Sequence, residues 1–218
     1  AEPSAATDAQ EARPAKRRVL GEFRVWSKIL AAWSEVFAAM FAHDFAEKAQ
    51  GRIEIADFSA AAVEAFLRFL YSGNMELGSG LLVIEIDALA DKYCVKPLKQ
   101  LCLKGVGQKL KPENACEMLE EAMRVQNSSV EELCLDVIFK HPKTALQSAH
   151  LLRPDCFEEV LASSKLCIGD FHLATLILGW ATSSEAKLRE LDVPVLLERH
   201  VHLAALNEEQ YGKLRTLA

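Results

Sequence analysis

From residue 29 to residue 180 the apolar residues return, run after run, at intervals of three and four. That spacing lines one face of an α-helix and obliges the face to be buried. The runs are Ile29, Trp33, Val36, Phe37 and Met40; Val63, Phe66, Leu67 and Leu70; Ile86, Leu89, Ala90 and Tyr93; and Leu98, Leu101, Cys102 and Val106. They continue as Ala115, Met118, Leu119 and Ala122; Val130, Leu133, Cys134, Val137 and Ile138; Phe157, Val160 and Leu161; and Leu173, Leu176, Ile177 and Trp180. Half of the 218 residues are hydrophobic, enough for these faces to form a sizeable core. Short helices joined by brief loops predict pairwise antiparallel stacking.

Period two breaks the pattern only near the start. Phe23 and Val25 flank Arg24, and Ile53 and Ile55 flank Glu54, which predicts short strands with one apolar face. Val19 to Phe23 reads as a hairpin corner, with Gly21 free to take the turn. The expected fold class is therefore α+β: a small sheet with helical hairpins, followed by an all-α second half. Residues 1–18 are expected to be a disordered tail, 19–108 a mixed domain and 109–218 a helical one. Asp57-Phe58-Ser59 supplies a turn and an N-cap, and Pro112 suits a first helical turn. Ser128 and Glu131 form a capping box, and Pro142 stops the helix before it.

Thirty-one acidic residues stand against 25 basic ones, a formal net charge of −6. That balance argues against general affinity for nucleic acid or an anionic membrane. No apolar run approaches the ~20 residues that span a bilayer, and residues 1–10 do not read as a signal peptide. The first residue is Ala, and the chain is expected to be a fragment or a processed form. Cysteines 94, 102, 116, 134, 156 and 167 form no C-x-x-C pair and read as reduced thiols of an intracellular protein, cytoplasmic, nuclear or both. Lys16-Arg17-Arg18 is either a solvated cluster or a nuclear-import patch.

Catalytic constellations are missing from the sequence. There is no G-x-S-x-G elbow, and Gly105-Val106-Gly107 follows a helix rather than a strand and lacks a third glycine. His200 and His202 have no evident third metal ligand, and Glu158-Glu159 and Glu208-Glu209 read as solvated faces. No enzyme activity, cofactor or metal is expected.

Three blocks of residues, in order, resemble the BTB/POZ family. The first is Phe23, Leu30, Ala31, Ser34, Phe37, Met40 and Phe41. The second is Gly51 to Ile55 with Asp57, then Phe66 to Gly73; the third is Leu89 to Tyr93, leading into Leu98 to Cys102. His43-Asp44-Phe45-Ala46-Glu47 is similar to the speckle-type MATH–BTB group, and residues 154–206, with Trp180 ending a helix, resemble a BACK domain. The resemblance implies a substrate adaptor of a cullin-RING ubiquitin ligase. In such adaptors a hydrophobic residue, any residue and a Glu after the first long helix meet the cullin, and Phe45-Ala46-Glu47 matches that triplet. An exposed aromatic on a loop can bury ~150 Å2 or more in a partner's pocket. Tyr93, Leu110 and Pro112 are further implied cullin contacts, with Asn114 beside them.

The family's N-terminal dimer helix has no counterpart in residues 1–22, so the implied homodimer would form without it. Trp26 and Trp33 are unusual for the family; with Ile29 they are expected either to fill that gap or to form an apolar patch for a partner. The expected partners are thus a cullin scaffold, an unidentified substrate protein and a second copy of the chain. A BTB–BACK scaffold that assembles without a cullin is the alternative.

Overall fold

The structure is a computed structural model that describes residues 21–42, 50–76, 78–183 and 192–216. The expected tail of residues 1–18 lies outside the described residues.

The predicted first helix is two helices, α1 (Ser27–Trp33) and α2 (Glu35–Ala42). Ser34 breaks them apart, with φ −137° and ψ 119°. Its hydroxyl donates to the carbonyl of Tyr93 at 2.6 Å and accepts the N–H of Phe37 at 3.1 Å. The side chain thus serves as a cap for α2 and a tie to a distant element, competing with helix continuation.

α3 (Ala60–Ser72) begins at the expected cap, where Ser59 Oγ accepts the N–H of Ala62 at 3.1 Å. It ends at Gly73, whose φ of 71° is the left-handed closing conformation that suits glycine. α4 (Gly80–Lys92) is buried from Val83 to Ala90 and forms the centre of the molecule, packed on α3, on α5 (Lys96–Lys109) and on α6 (Ala115–Arg124). A 3-10 turn, Pro112–Asn114, carries Pro112 at its first position and leads into α6. Ala115, Met118, Leu119 and Ala122 are all buried on one face, as their spacing required.

α7 (Ser128–Lys140) starts one residue earlier than the expected capping box. Asn127 is the N-cap, accepting the N–H of Val130 through Oδ1, and Ser128 is the first helical residue. α8 (Pro142–Ala145), a 3-10 segment (Leu146–Leu151), α9 (Pro154–Ala162), α10 (Asp170–Thr182), α11 (Val193–His200) and α12 (Glu208–Arg215) follow. Trp180 of α10 stacks on Phe157 of α9 at 4.5 Å, and its indole N–H donates to the carbonyl of Leu152 at 3.0 Å. Buried apolar residues from Leu30 to Leu214 form one core.

The expected sheet is corrected: among the described residues there is no strand. Residues 21–26 and 52–56 lack the inter-strand ladder that makes a strand. The period-two signal around Ile53 and Ile55 did report sidedness, since both pack against the core while Arg52, Glu54 and Ala56 are exposed. Alternation fixes which side chains face inward; a ladder also needs a partner backbone. The expected hairpin corner at Val19 to Phe23 lies partly outside the described residues; within it, a Cβ on Gly21 would stand 3.3 Å from the ring of Phe23.

Candidate functional site

Phe45, Ala46 and Glu47 fall between the end of α2 and Gln50, outside the described residues. The structure does place the other expected contacts.

Tyr93, at the C-terminal end of α4, is a core residue at 3% exposure. Its ring stacks on Phe37 at 4.3 Å and tilts against Phe66 at 5.8 Å. Burial, with a smaller contribution from Asp57, pushes its phenol up to about 12. A ring so enclosed supplies packing, so its expected role as a surface contact is corrected. Leu110 and Pro112 are half-buried at the corner between α5 and α6. Asn114 holds that corner shut: its amide donates to the carbonyl of Lys109 at 3.0 Å and its Oδ1 accepts the N–H of Lys111 at 2.8 Å.

The two tryptophans do not share a face. The helix starts at Ser27, which leaves Trp26 at the N-cap, 74% exposed. Its backbone N–H donates to the hydroxyl of Tyr71 at 2.7 Å. Trp33 is half-buried and tilts onto Phe69 at 5.3 Å, and Ile29 packs against the core. Phe23, Val25 and Tyr71 are exposed near Trp26, on its own segment and on the helix end it touches. Sequence reasoning missed Tyr71, although its place one residue beyond Leu70 puts it off the buried stripe of α3.

Polar ties concentrate where α4 meets α6 and the start of α7. The carboxylate of Glu85 accepts from the backbone N–H and hydroxyl of Ser59 and from Arg124 at 2.5 Å. Asp87 accepts from the side-chain amide of Asn127 at 2.7 Å. Beside them lies a cleft of about 670 Å3 lined by Lys92, Lys99 and Arg124. Each of those cations already has a carboxylate partner: Asp57, Asp91, and Glu85 with Glu121.

No group of three His, Cys, Asp or Glu suited to a metal ion occurs among the described residues. His200 and His202 diverge, the first half-buried and the second exposed beside Asp170. Burial pushes the thiols of Cys102, Cys116 and Cys134 up to about 12, so they are protonated and poor nucleophiles at neutral pH. No described helix is long and apolar enough to cross a membrane.

Comparison with known proteins matches residues 18–110 to the BTB/POZ domain. A BTB/POZ domain-containing protein of Arabidopsis thaliana is 30% identical over 172 residues, which is 75% of this chain and 21% of that protein. BTB/POZ domain-containing protein 6 of Mus musculus is 29% identical over 79% of this chain and 32% of its own length. Its counterpart 6-A of Danio rerio is 30% identical over 70% of this chain and 28% of its own length. The chain thus spans a third or less of each of these relatives. The matched segment and the order of its three sequence blocks agree: residues 18–110 of this chain are a BTB/POZ domain.

Proposed function

We propose that this chain is a non-catalytic protein-binding adaptor: a BTB/POZ domain followed by a BACK-like helical extension, of the speckle-type group that joins substrates to a cullin-RING ubiquitin ligase. The observation that carries the reading is the BTB/POZ match over residues 18–110. That segment contains Phe45-Ala46-Glu47 after the first long helical stretch, where adaptors of this family meet their cullin. Domains of this kind commonly mediate protein–protein interaction. The described residues add a solid core and a cleft whose cations are already paired with carboxylates, a scaffold suited to presenting surfaces. The chain would contribute proximity, bringing a substrate within reach of the ligase's other subunits, in the cytoplasm, the nucleus or both.

The test is binding of the purified chain to a cullin N-terminal domain. The adaptor reading expects a Kd in the micromolar range or tighter, and a loss of about 2 kcal/mol or more for Phe45→Ala, with Glu47→Lys as a second probe. Absence of wild-type binding overturns it.

A second reading, a self-assembling scaffold without a cullin, is favoured by the exposed aromatic group of Trp26, Phe23 and Tyr71, since monomers seldom leave large apolar patches uncovered. Light scattering decides it: a monomer at ~100 μM, a concentration well above the Kd of a stable dimer, excludes self-assembly.

A further inference from the structure

One face of α7 is built differently from the others. Leu135 and Phe139, half-buried, floor a groove of about 310 Å3 that α9 closes on its far side. Glu131, Glu132 and Asp136 of the same stripe rim it on one side, and Glu159 of α9 rims it on the other. These α7 positions are three and four residues apart, so they share one face with no choice of rotamer needed.

The charges do not balance. Asp136 pairs with Lys140 at 2.7 Å, but Glu131, Glu132 and Glu159 have no ion-pair partner among the described residues. Lys165, the cation on the lining, acts on Asp136. Burial first, then the nearby carboxylate of Glu159, holds the Glu131 carboxyl above its ordinary range. An ordinary solvated face spreads its carboxylates outward over polar neighbours. Here they converge across a partly apolar floor, where a cation from outside would be attracted more strongly than in open water.

We propose that the α7–α9 groove is a docking site for a peptide segment of a partner protein. That segment places a lysine or arginine between Glu131 and Glu159 and an apolar side chain against Leu135 and Phe139. Charge complementarity selects the cation, and the half-exposed ring and leucine select the apolar neighbour. A metal ion does not fit, since these carboxylates are not among any group of three placed to hold one, and no such group occurs among the described residues. A simple polyamine would leave the floor uncovered. The site does not depend on the cullin reading, because none of its residues belongs to residues 18–110.

The test uses the full chain and three fluorescent twelve-residue peptides. One alternates Lys or Arg with Leu or Phe, one replaces the basic residues by Glu, and one replaces the apolar residues by Ser. Anisotropy should show the first binding with a Kd in the range of ~10–100 μM at low salt, weakening at ~0.5 M salt as a screened contact must. The Glu and Ser peptides should bind at least tenfold more weakly. Glu131→Lys with Glu159→Lys should weaken the first peptide by tenfold or more at unchanged melting temperature, while Glu64→Lys on α3 should leave it unchanged. If the double variant fails to fold, Glu159→Gln, at an exposed position, replaces it and should weaken binding by threefold or more. Equal binding of the Ser or Glu peptide, or binding untouched by the groove variants, overturns the proposal. The cullin assay is scored separately, so failure of one reading is distinguishable from failure of the other.

Discussion

The side-chain amide of Asn127 donates to the carboxylate of Asp87 at 2.7 Å, 40 residues away in sequence, at a point where neither side chain meets solvent freely. The same amide's oxygen accepts the N–H of Val130 and starts α7. One side chain therefore caps a helix of the second half and satisfies a buried carboxylate of the BTB/POZ domain. The other carboxylate oxygen, Oδ1, has no hydrogen-bond partner.

Asn127→Ala should cost roughly 2–4 kcal/mol, about 1 for the lost cap and the rest for stranding Asp87. Ser79→Ala is the matching control, because Ser79 caps α4 from an exposed position and stabilises nothing else that is buried. It should cost roughly 1 kcal/mol. Urea denaturation measures both, and an Asn127→Ala loss no larger than that of Ser79→Ala refutes the coupled role.

Asp87 should also give stability a pH dependence. Burial is the largest influence on its carboxyl and raises it above the ordinary carboxylate range; Asn127 and then Lys99 oppose this, and Asp91 adds to it. The folded state thus holds the proton more tightly than the unfolded chain. The stabilisation is fully present below the ordinary carboxylate range of about 4 and is lost as pH rises through the folded value. Asp87→Asn removes that titration, so its urea midpoint should fall less than the wild type's as pH is raised from about 4. Parallel profiles for the two proteins would contradict the assignment.

Tyr93 separates a packing role from a contact role. Its stack with Phe37 and its enclosure predict a loss of about 3–5 kcal/mol for Tyr93→Ala and under about 1 kcal/mol for Tyr93→Phe. Neither denaturation midpoint depends on a partner. A Tyr93→Ala protein as stable as wild type would return the ring to the surface and restore it as a candidate contact.

Trp180 anchors the second half in the same manner. It is 1% exposed, stacked on Phe157 and bonded to the Leu152 carbonyl. Trp180→Phe keeps the stack but strands that carbonyl, for an expected cost of roughly 1–3 kcal/mol; Trp180→Ala should cost about 3–5. Equal losses in thermal or urea melts would show that the hydrogen bond contributes nothing beyond the ring.

The sequence by itself determined where most helices lie and most of the face that each buries, although Leu101 on α5 and Leu133 on α7, expected on those faces, are exposed. Val63, Phe66 and Leu70 on α3, Ile86, Leu89 and Ala90 on α4 and the four residues of α6 are buried as their spacing demanded. That information is local, because a helix repeats its inward face every three or four residues whatever it packs against. Ser59 was legible as a cap for the same reason, its partner being three residues away. The triplet Phe45-Ala46-Glu47 was legible only through family resemblance. Only the tertiary structure decided the rest. Ser34 breaks a helix because its hydroxyl finds Tyr93's carbonyl 59 residues on, and Trp26 stays exposed while Trp33 finds Phe69. The expected strands have no ladder among the described residues, since a ladder belongs to two segments and not to one. Asp87 and Asn127, 40 residues apart, meet only because the fold brings their helices together. What a side chain meets across the core is set by neighbours distant in sequence, and no spacing within one segment encodes them.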